Sequence, residues 1–333
     1  MTRRIIFVTG GAGFVGSNIV AELARDRSLD LVVCDRLRGT DTGKWRNLAK
    51  HPIGDLVAPE EMWNWLEKRW REVEVVIHMG AISSTTESDA DKVMHTNFGL
   101  SRDLFRWCAD HQRRFLYASS GATYGDGAFG FEDAQDWESL AALRPLNTYG
   151  WSKALFDVFA VRQAARGYAP PQWAGLKFFN VYGPNEEHKG VMRSVVSQIW
   201  PDVAAGRTVK LFRSYNPLYG HGGQKRDFVY VRDLVEAVAW LADHEGVNGV
   251  FNLGSGQARS FKELAEAVFR AAGREPQIEY IEMPKALREK YQYFTQAGMG
   301  RLRAAGYDGA VTSLEDGVKD YVERYLSATD PYR

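Results

Sequence analysis

The chain has 333 residues, a length that suits two closely joined lobes better than one simple core. Its residues are 45% hydrophobic and 25% charged with a formal net charge of zero, which excludes a disordered chain and offers no basic surface for nucleic acid or a membrane. The apolar run from Ile5 to Val8 is too short for a signal peptide or a membrane span, so we expect a cytoplasmic protein.

Short β-rich segments alternate with helical ones along the chain. In order, we predict a strand RRIIFVTG, a helix FVGSNIVAELARD, strands LDLVVCD and VEVVIHMG, a helix SRDLFRWCADHQ, a strand RRFLYASS, a helix WSKALFDVFAVRQAARG and a strand WAGLKFFNVYG. Loops rich in glycine and aromatic residues follow, before DFVYVRDLVEAVAWLADH and VFNLGSG resume the alternation. This order is typical of an α/β fold with helices on both faces of a parallel sheet.

We therefore predict a doubly wound, Rossmann-type parallel sheet with a smaller, interleaved substrate-binding lobe. Residues 1–180 and 226–254 would form the dinucleotide-binding domain, and residues 181–225 and 255–333 the substrate domain.

The motif TGGAGFVG places Gly10, Gly13 and Gly16 directly after the first strand and at the start of a helix. Glycine permits a tight turn and a close approach of the backbone to a pyrophosphate, which the free N–H groups of the helix then bind. Asp35 ends the second strand about 20 residues further on, where an acidic side chain binds the adenosine ribose. The alternative is a glycine turn that binds no ligand, but it would not explain why a strand, a helix and an acidic residue accompany the motif.

Basic residues follow that aspartate. Arg36, Arg38 and Lys44 could hold the 2′-phosphate of NADP, whereas Asp35 alone would favour NAD. We expect NADP as the cofactor, with NAD possible.

A second motif, YGWSK, sets Tyr149 and Lys153 one helical turn apart. Such a pair is weak evidence alone, but Ser119 and Ser120 end the preceding strand at the carboxyl edge, where open α/β sheets bind ligands. The lysine ammonium and an oxidised nicotinamide both favour the phenolate form of Tyr149. Tyr149 is then a candidate base for a substrate hydroxyl, while Ser120 holds its oxygen and hydride passes to the cofactor.

Other residues fit structural roles. His78 at a strand end is expected to be a hydrogen-bonded core residue, and Cys34 and Cys108 buried and inert. No histidine spacing indicates a metal site, and we expect none. The predicted helix PEEMWNWLEKRW carries three tryptophans expected to pack or to contact another copy: Trp63, Trp65 and Trp70.

The glycine motif, the ASS strand end and the YxxxK pair together resemble the extended short-chain dehydrogenase/reductase family, which includes nucleotide-sugar epimerases and dehydratases. The segments SSTTE and FFNVYGPNEEHKGVM further resemble its branch that epimerises ADP-linked heptoses at C6. The resemblance implies a 6-ketone formed and reduced with tightly bound NADP, in the supply of a lipopolysaccharide inner-core precursor. We expect ADP-heptose as the substrate and a homo-oligomer without nucleic-acid or membrane partners.

The expected site residues follow from the motifs and the resemblance. The catalytic set is Ser120, Tyr149, Lys153 and Lys189. The cofactor site is Gly10, Gly13, Phe14, Val15, Gly16, Asp35, Arg36, Lys44, Met79, Gly80, Ala81, Ser83, Asn97, Tyr149, Lys153 and Val181. The substrate site is Ser83, Asn180, Gln198, Phe212, Arg213, Ser214, Arg226 and Tyr291.

Two of these assignments have alternatives. Arg226 offers paired donors to a diphosphate, but it could instead form a surface ion pair with Asp227. Lys189 is proposed as a second acid–base group, on a loop that Gly190 would let approach closely, because a ketone reduced on either face must turn within the site. An exposed lysine or a phosphate contact is the alternative.

Three other functions are alternatives for this sequence. A dehydratase usually carries an Asp–Glu pair after the serine or threonine of that strand, but Gly121 and Ala122 stand there. A non-catalytic NADP-binding regulator would be expected to lose one of Ser120, Tyr149 and Lys153, and all are present. A 4-epimerase acting on another nucleotide sugar remains open, with a second proton-handling residue as the discriminator.

Overall fold

The computed structural model describes residues 4–37, 43–288 and 291–333. Its strands are β1 (Arg4–Thr9), β2 (Leu29–Cys34), β3 (Asp55–Val57), β4 (Val73–His78), β5 (Arg114–Ser120), β6 (Trp173–Phe178), β7 (Asn180–Tyr182), β8 (Val209–Phe212), β9 (Lys225–Tyr230), β10 (Gly249–Leu253), β11 (Ala258–Ser260) and β12 (Ile278–Ile281). Its α-helices are α1 (Phe14–Leu23), α2 (Met62–Arg69), α3 (Ala90–Val93), α4 (Leu100–Asp110), α5 (Trp137–Ala142), α6 (Thr148–Ala165), α7 (Val195–Ala204), α8 (Val231–Asp243), α9 (Phe261–Ala271), α10 (Lys285–Arg288), α11 (Gly300–Ala304) and α12 (Leu314–Tyr321).

Seven strands form the main sheet in the order β10-β6-β5-β4-β1-β2-β3. Every ladder in it is parallel. The chain order reverses between β1 and β4, and a crevice opens at the carboxyl ends of strands at such a reversal. The predicted doubly wound sheet is confirmed.

Alternate residues of each strand enter different hydrophobic cores, since successive side chains point to opposite faces of a sheet. In β1, Ile6 and Val8 pack in the core that contains α1, α8 and α9. Ile5 and Phe7 pack in the other core, with α2, α4 and α6. Both faces of the main sheet are therefore covered by helices, which explains why its strands are almost continuously apolar.

The segment WAGLKFFNVYG forms two strands where one was predicted. The break comes at Phe179, whose backbone N–H still reaches Leu253 O at 3.3 Å. β7 then leaves the main sheet and pairs in parallel with β9, which also pairs antiparallel with β11. β8 and β12 form a further parallel pair. The short edge strand β3, outside the predicted set, pairs with β2.

The residues assigned structural roles are buried as predicted. His78 is 1% exposed and bonds Thr9 Oγ1 at 2.6 Å and Ser101 Oγ at 2.9 Å, so burial lowers its pKa to about 3. Cys34 and Cys108 are buried thiols, and burial raises the pKa of both.

The tryptophans of α2 and its C-terminal end differ in exposure. The Trp65 ring packs on Phe7 with centroids 5.1 Å apart, and its Nε1 donates to Asp55 at 2.8 Å. Trp70 packs on His111, whereas Trp63 is 37% exposed. Trp65 and Trp70 therefore have the packing role that was one of the two expected.

Across the described ranges, no helix has the length and apolar character needed to cross a membrane.

Gly16 in the first turn of α1 tests how closely this fold is packed. A Cβ atom there would lie 2.2 Å from Gly10 O, so we expect Gly16→Ala to destabilise the protein by about 1–3 kcal/mol, as overpacking does. Urea unfolding of Gly16→Ala and of the unmodified protein measures this loss of stability. Gly300→Ala is the matched control, because a Cβ at that helical position meets nothing within 4 Å. Equal midpoints for the two variants would contradict the close packing of the turn.

Candidate active site

A cleft of about 920 Å³ lies at the carboxyl edge of the main sheet, where α/β folds bind ligands. Its wall includes the ends of β1, β4 and β5, the start of α6, and the loop after β7. The predicted residues on this wall are Gly10, Gly13, Phe14, Val15, Gly16, Asp35, Lys44, Met79, Gly80, Ala81, Ser83, Ser120, Tyr149, Lys153, Asn180, Val181, Lys189, Arg226 and Tyr291. One cleft therefore contains most of the predicted cofactor residues, four of the eight predicted substrate residues and the whole predicted catalytic set.

The glycine turn fits a dinucleotide. Gly10 has φ +65°, and a Cβ on it would lie 2.6 Å from Gly80 N, so only glycine serves there. Gly13 precedes α1 with extended backbone and no side-chain cap, and the first turn of the helix lies on the cleft wall. No capping side chain therefore occupies its first N–H groups. Free helix N–H groups and a backbone without side chains are what a pyrophosphate requires.

Asp35 lies beside this turn. Its Oδ2 accepts from Ala12 N at 2.9 Å and its Oδ1 from Lys44 Nζ at 2.6 Å. Lys44 thus brings a positive charge to the same corner, next to the carboxylate predicted to bind the ribose. Arg36 pairs with Glu60 at 2.9 Å, off the cleft wall, and Arg38 lies outside the described residues.

Helix α6 carries Tyr149 and Lys153, the predicted catalytic pair. Asn147 caps it by accepting from Gly150 N at 2.8 Å, which fixes the first turn at the cleft. Lys153, 3% exposed, donates from Nζ to Ala118 O at 2.7 Å. Ser120 ends β5, and its Oγ accepts from Ala122 N at 3.1 Å. Strand and helix therefore bring Ser120, Tyr149 and Lys153 together, as the motif predicted.

The surroundings shift the proton affinities of this pair. Burial raises the pKa of Tyr149, and a hydrogen bond with Ser120 opposes that effect. Burial lowers the pKa of Lys153 to about 8, and the nearby Asp157 carboxylate opposes it. Burial thus disfavours the charged form of each group, so the phenol holds its proton more tightly, the ammonium holds its proton less tightly, and the two proton affinities move apart.

Lys189 lies in a short 3₁₀ segment, Glu187–Met192, after β7. Its Nζ is 5.0 Å from the centroid of the Phe14 ring, and burial lowers its pKa. The buried Glu186 carboxylate anchors the loop by accepting from Ser194 N at 2.5 Å and from Tyr321 at 3.0 Å. The lysine therefore faces the cleft and is not a freely solvated side chain.

The backbone of this loop gives Gly190 a reason that the sequence did not indicate. A Cβ there would meet nothing within 4 Å, so no neighbouring residue of the protein requires glycine. The residue has φ +55° and ψ −123°, a backbone conformation that side chains disfavour. Glycine is needed for the turn that follows Lys189.

Arg226 is 7% exposed and lies between the rings of Phe261, at 5.7 Å, and Tyr291, at 5.2 Å. Asp227 is not among the charged neighbours of this guanidinium, and its carboxylate accepts from the backbone of Ser255, at 2.6 Å, and of Ala297, at 2.8 Å. Arg226 Nη1 donates to Lys225 O at 2.9 Å, and the side chain lies on the cleft wall.

Several predicted residues lie off the cleft wall. Asn97 is buried in a π-helical segment between α3 and α4, and it bonds Ile82 and Ser152, so it braces the wall from behind. The predicted substrate residues away from the wall are Gln198, Phe212, Arg213 and Ser214. Arg213 pairs with Glu282 at 3.3 Å instead.

Other cleft residues have no role in the sequence predictions. His188 bonds Asn47 at 3.3 Å, and its pKa is lowered to about 4, chiefly by burial. Ser84 and Thr85 belong to the SSTTE segment, and Gln292 follows Tyr291. These residues belong to or lie near the segments SSTTE and HKG, which carry the resemblance to the family. The spacing of residues within these segments indicates no chemistry.

The chain matches the family model described as "NAD dependent epimerase/dehydratase family" over residues 6–254. It is 49% identical to the ADP-L-glycero-D-manno-heptose-6-epimerase of Nitratidesulfovibrio vulgaris over 328 residues, which cover 98% of this chain and 99% of that protein. The alignment therefore includes the segments on both sides of the cleft.

Solved structures agree in fold. The ADP-L-glycero-D-manno-heptose-6-epimerase of Helicobacter pylori superposes with a TM-score of 0.80 at 29% identity, over 97% of this chain and 96% of that one. The UDP-glucose 4-epimerase of Thermus thermophilus, solved with NAD, has a TM-score of 0.71 at 28% identity, over 95% of this chain and 96% of that one. With its doubly wound sheet, glycine turn and Ser–Tyr–Lys cleft, this chain belongs to the NAD dependent epimerase/dehydratase family.

Proposed function

We propose that this protein epimerises ADP-D-glycero-D-manno-heptose to ADP-L-glycero-D-manno-heptose at C6, through a transient 6-ketone. The observation that carries the proposal is a single cleft lined by Ser120, Tyr149, Lys153 and Lys189. The high identity to a relative named for that reaction supports the choice of sugar.

The residues of the chain supply the proton chemistry. Tyr149 takes the proton of the C6 hydroxyl while Ser120 holds its oxygen, and the Lys153 ammonium stabilises the phenolate. When held by the glycine turn and Asp35, a nicotinamide cofactor would supply the acceptor and donor of the C6 hydride.

Inversion needs a second proton-handling position. The ketone turns between oxidation and reduction, so its oxygen meets different groups in the two epimers. Tyr149 is fixed on α6, whereas Lys189 lies on the loop after β7 and has a lowered pKa suited to proton transfer. We assign one epimer to each group. This pair favours epimerisation over the dehydratase, whose acid and base positions hold Gly121 and Ala122.

The sugar nucleotide is assigned to the part of the cleft formed by residues 181–225 and 255–333. Arg226 and Asn180 border these ranges on the dinucleotide-domain side and lie on the same cleft wall. The buried Arg226 guanidinium can give parallel donors to a diphosphate, and Tyr291 covers one side of it. The dinucleotide is assigned to residues 1–180 and 226–254, whose glycine turn and Asp35 fit it.

For the cofactor, we propose NADP. Lys44 supports it, since its ammonium stands at the corner where a 2′-phosphate would meet Asp35. We further propose a cytoplasmic homo-oligomer that serves lipopolysaccharide inner-core synthesis.

The function is tested by incubating the purified protein with ADP-D-glycero-D-manno-heptose without added cofactor and separating the epimers chromatographically. We expect conversion to an equilibrium mixture, because the reaction has no net redox change and bound cofactor is recycled. UDP-glucose and UDP-N-acetylglucosamine are the parallel substrates for the 4-epimerase alternative. Turnover of either one, with none of the heptose, would transfer the protein to that activity.

The cofactor is identified by mass spectrometry of the supernatant after denaturation, for which we expect NADP. Lys44→Ala should shift the bound cofactor toward NAD by about 10-fold, since one charge-assisted contact to the 2′-phosphate is lost. Arg207→Ala is the control, because that arginine pairs with Asp202 on the surface. NAD alone in the unmodified protein would make Asp35 the governing contact and reject NADP.

Lys189→Met tests the two-group mechanism. We expect kcat to fall by about 10² or more while cofactor content and substrate binding persist, because a positioned acid–base group contributes that much. Tyr149→Phe should lose a similar factor. Exposed Lys210→Met is the control. A raised KM with unchanged kcat for Lys189→Met would leave that lysine with phosphate binding only.

A further inference from the structure

A buried ion pair lies directly behind the catalytic residues. Asp157 on α6 and Lys177 on β6 are both fully buried, with Lys177 Nζ 2.8 Å from Asp157 Oδ2. Neither side chain takes part in the proposed proton transfers, and neither belongs to the cleft wall. A pair of this kind is often replaceable by apolar residues without loss of stability, so its presence asks for another reason.

The contacts of Asp157 converge on the end of β5. Its Oδ2 also accepts from Ser119 Oγ at 2.7 Å, and its Oδ1 accepts from Tyr117 OH at 3.0 Å. Tyr117 can reach it because β6 has Gly175 opposite, where a Cβ would lie 2.2 Å from the Tyr117 hydroxyl. The carboxylate therefore fastens two residues of the strand that carries Ser120.

Lys177 reaches Ser120 from the other side. Its Nζ donates to Thr123 Oγ1 at 2.7 Å, and Thr123 Oγ1 donates to Ser120 O at 2.8 Å. Ser120 thus has one neighbour, Ser119, held by the carboxylate, and its own carbonyl held through Thr123.

Helical spacing places the same aspartate beside the catalytic pair. Tyr149, Lys153 and Asp157 follow each other at four-residue intervals and share one face of α6. The Asp157 carboxylate also raises the pKa of Lys153, which opposes the effect of burial. Geometry and charge act on the same residues.

We propose that Asp157 and Lys177 are positioning residues, which hold Ser120 and Lys153 in register for the reaction proposed above. The pair acts through Ser119 and Thr123 and does not touch the substrate. Its role rests on the proposed function, because register matters only if Ser120 and Lys153 take part in catalysis.

Asp157→Asn in the full-length, cofactor-loaded protein tests the proposal. The amide keeps the shape of the side chain but removes the charge that Lys177 and the donors share. We expect kcat for the heptose substrate to fall about 10-fold or more at nearly unchanged KM and cofactor content, because small displacements of reacting groups are costly.

Glu74→Gln is the matched control. Glu74 lies on β4 and pairs at 2.5 Å with the buried Arg114, which begins β5 at the end opposite Ser120. We expect it to lower thermal stability without lowering kcat. If both variants lose stability and both keep kcat, the Asp157–Lys177 pair is structural only and the proposal is wrong.

Ser119→Ala covers the case in which Asp157→Asn does not fold. It removes one donor from the carboxylate but leaves Lys177 and Tyr117 in place. A lower kcat at unchanged KM supports the proposal, and an unchanged kcat overturns it.

Crystal structures separate this proposal from the proposed function. If the unmodified protein turns over no heptose, the function fails, but the positioning role is still measurable. Displacement of Ser120, or loss of the bond from Lys153 to Ala118 O, in Ser119→Ala or Asp157→Asn but not in Glu74→Gln supports it. Unchanged positions in these variants overturn it.

Discussion

The attachment of helix α6 to the end of strand β5 is the contact on which the site depends. Tyr117 and Ser119 bond Asp157, and Ala118 O accepts from Lys153. Side chains at four-residue intervals on a helix meet successive residues of a strand only when the two elements keep one register. A shift of either element would separate the groups of the proposed catalytic set.

Charge at this edge of the sheet is buried and compensated. Isolated ions are costly in a protein interior, so each of these groups has a partner or a shifted pKa. Lys153 and Lys189 have their pKa values lowered, and Glu186 has its pKa raised, all chiefly by burial. Burial therefore moves the proton affinities of these three groups toward the neutral range, whereas it moves that of Tyr149 away from it.

Short-range patterns were enough to predict the sheet, the glycine turn and the part of the site that α6 carries. The apolar strands, the glycine turn and the pair Tyr149 and Lys153 depend on neighbours within one or two turns of chain, and the structure has them where they were expected. Features that depend on distant packing did not follow from these patterns. Arg213 lies off the cleft wall and pairs with Glu282, and the segment around Phe179 forms two strands because β7 pairs with β9.

The sequence by itself determined the doubly wound sheet, the dinucleotide turn and the Ser–Tyr–Lys set, since periodicity, glycine geometry and helical spacing are local properties of the chain. The tertiary structure alone decided what Gly190 is for, which cleft residues accompany Lys189, and that Asp157 and Lys177 meet behind Ser120. Asp157 lies on α6 and Lys177 on β6. Only the pairing of β5 with β6 and the packing of α6 bring the two side chains within hydrogen-bonding distance.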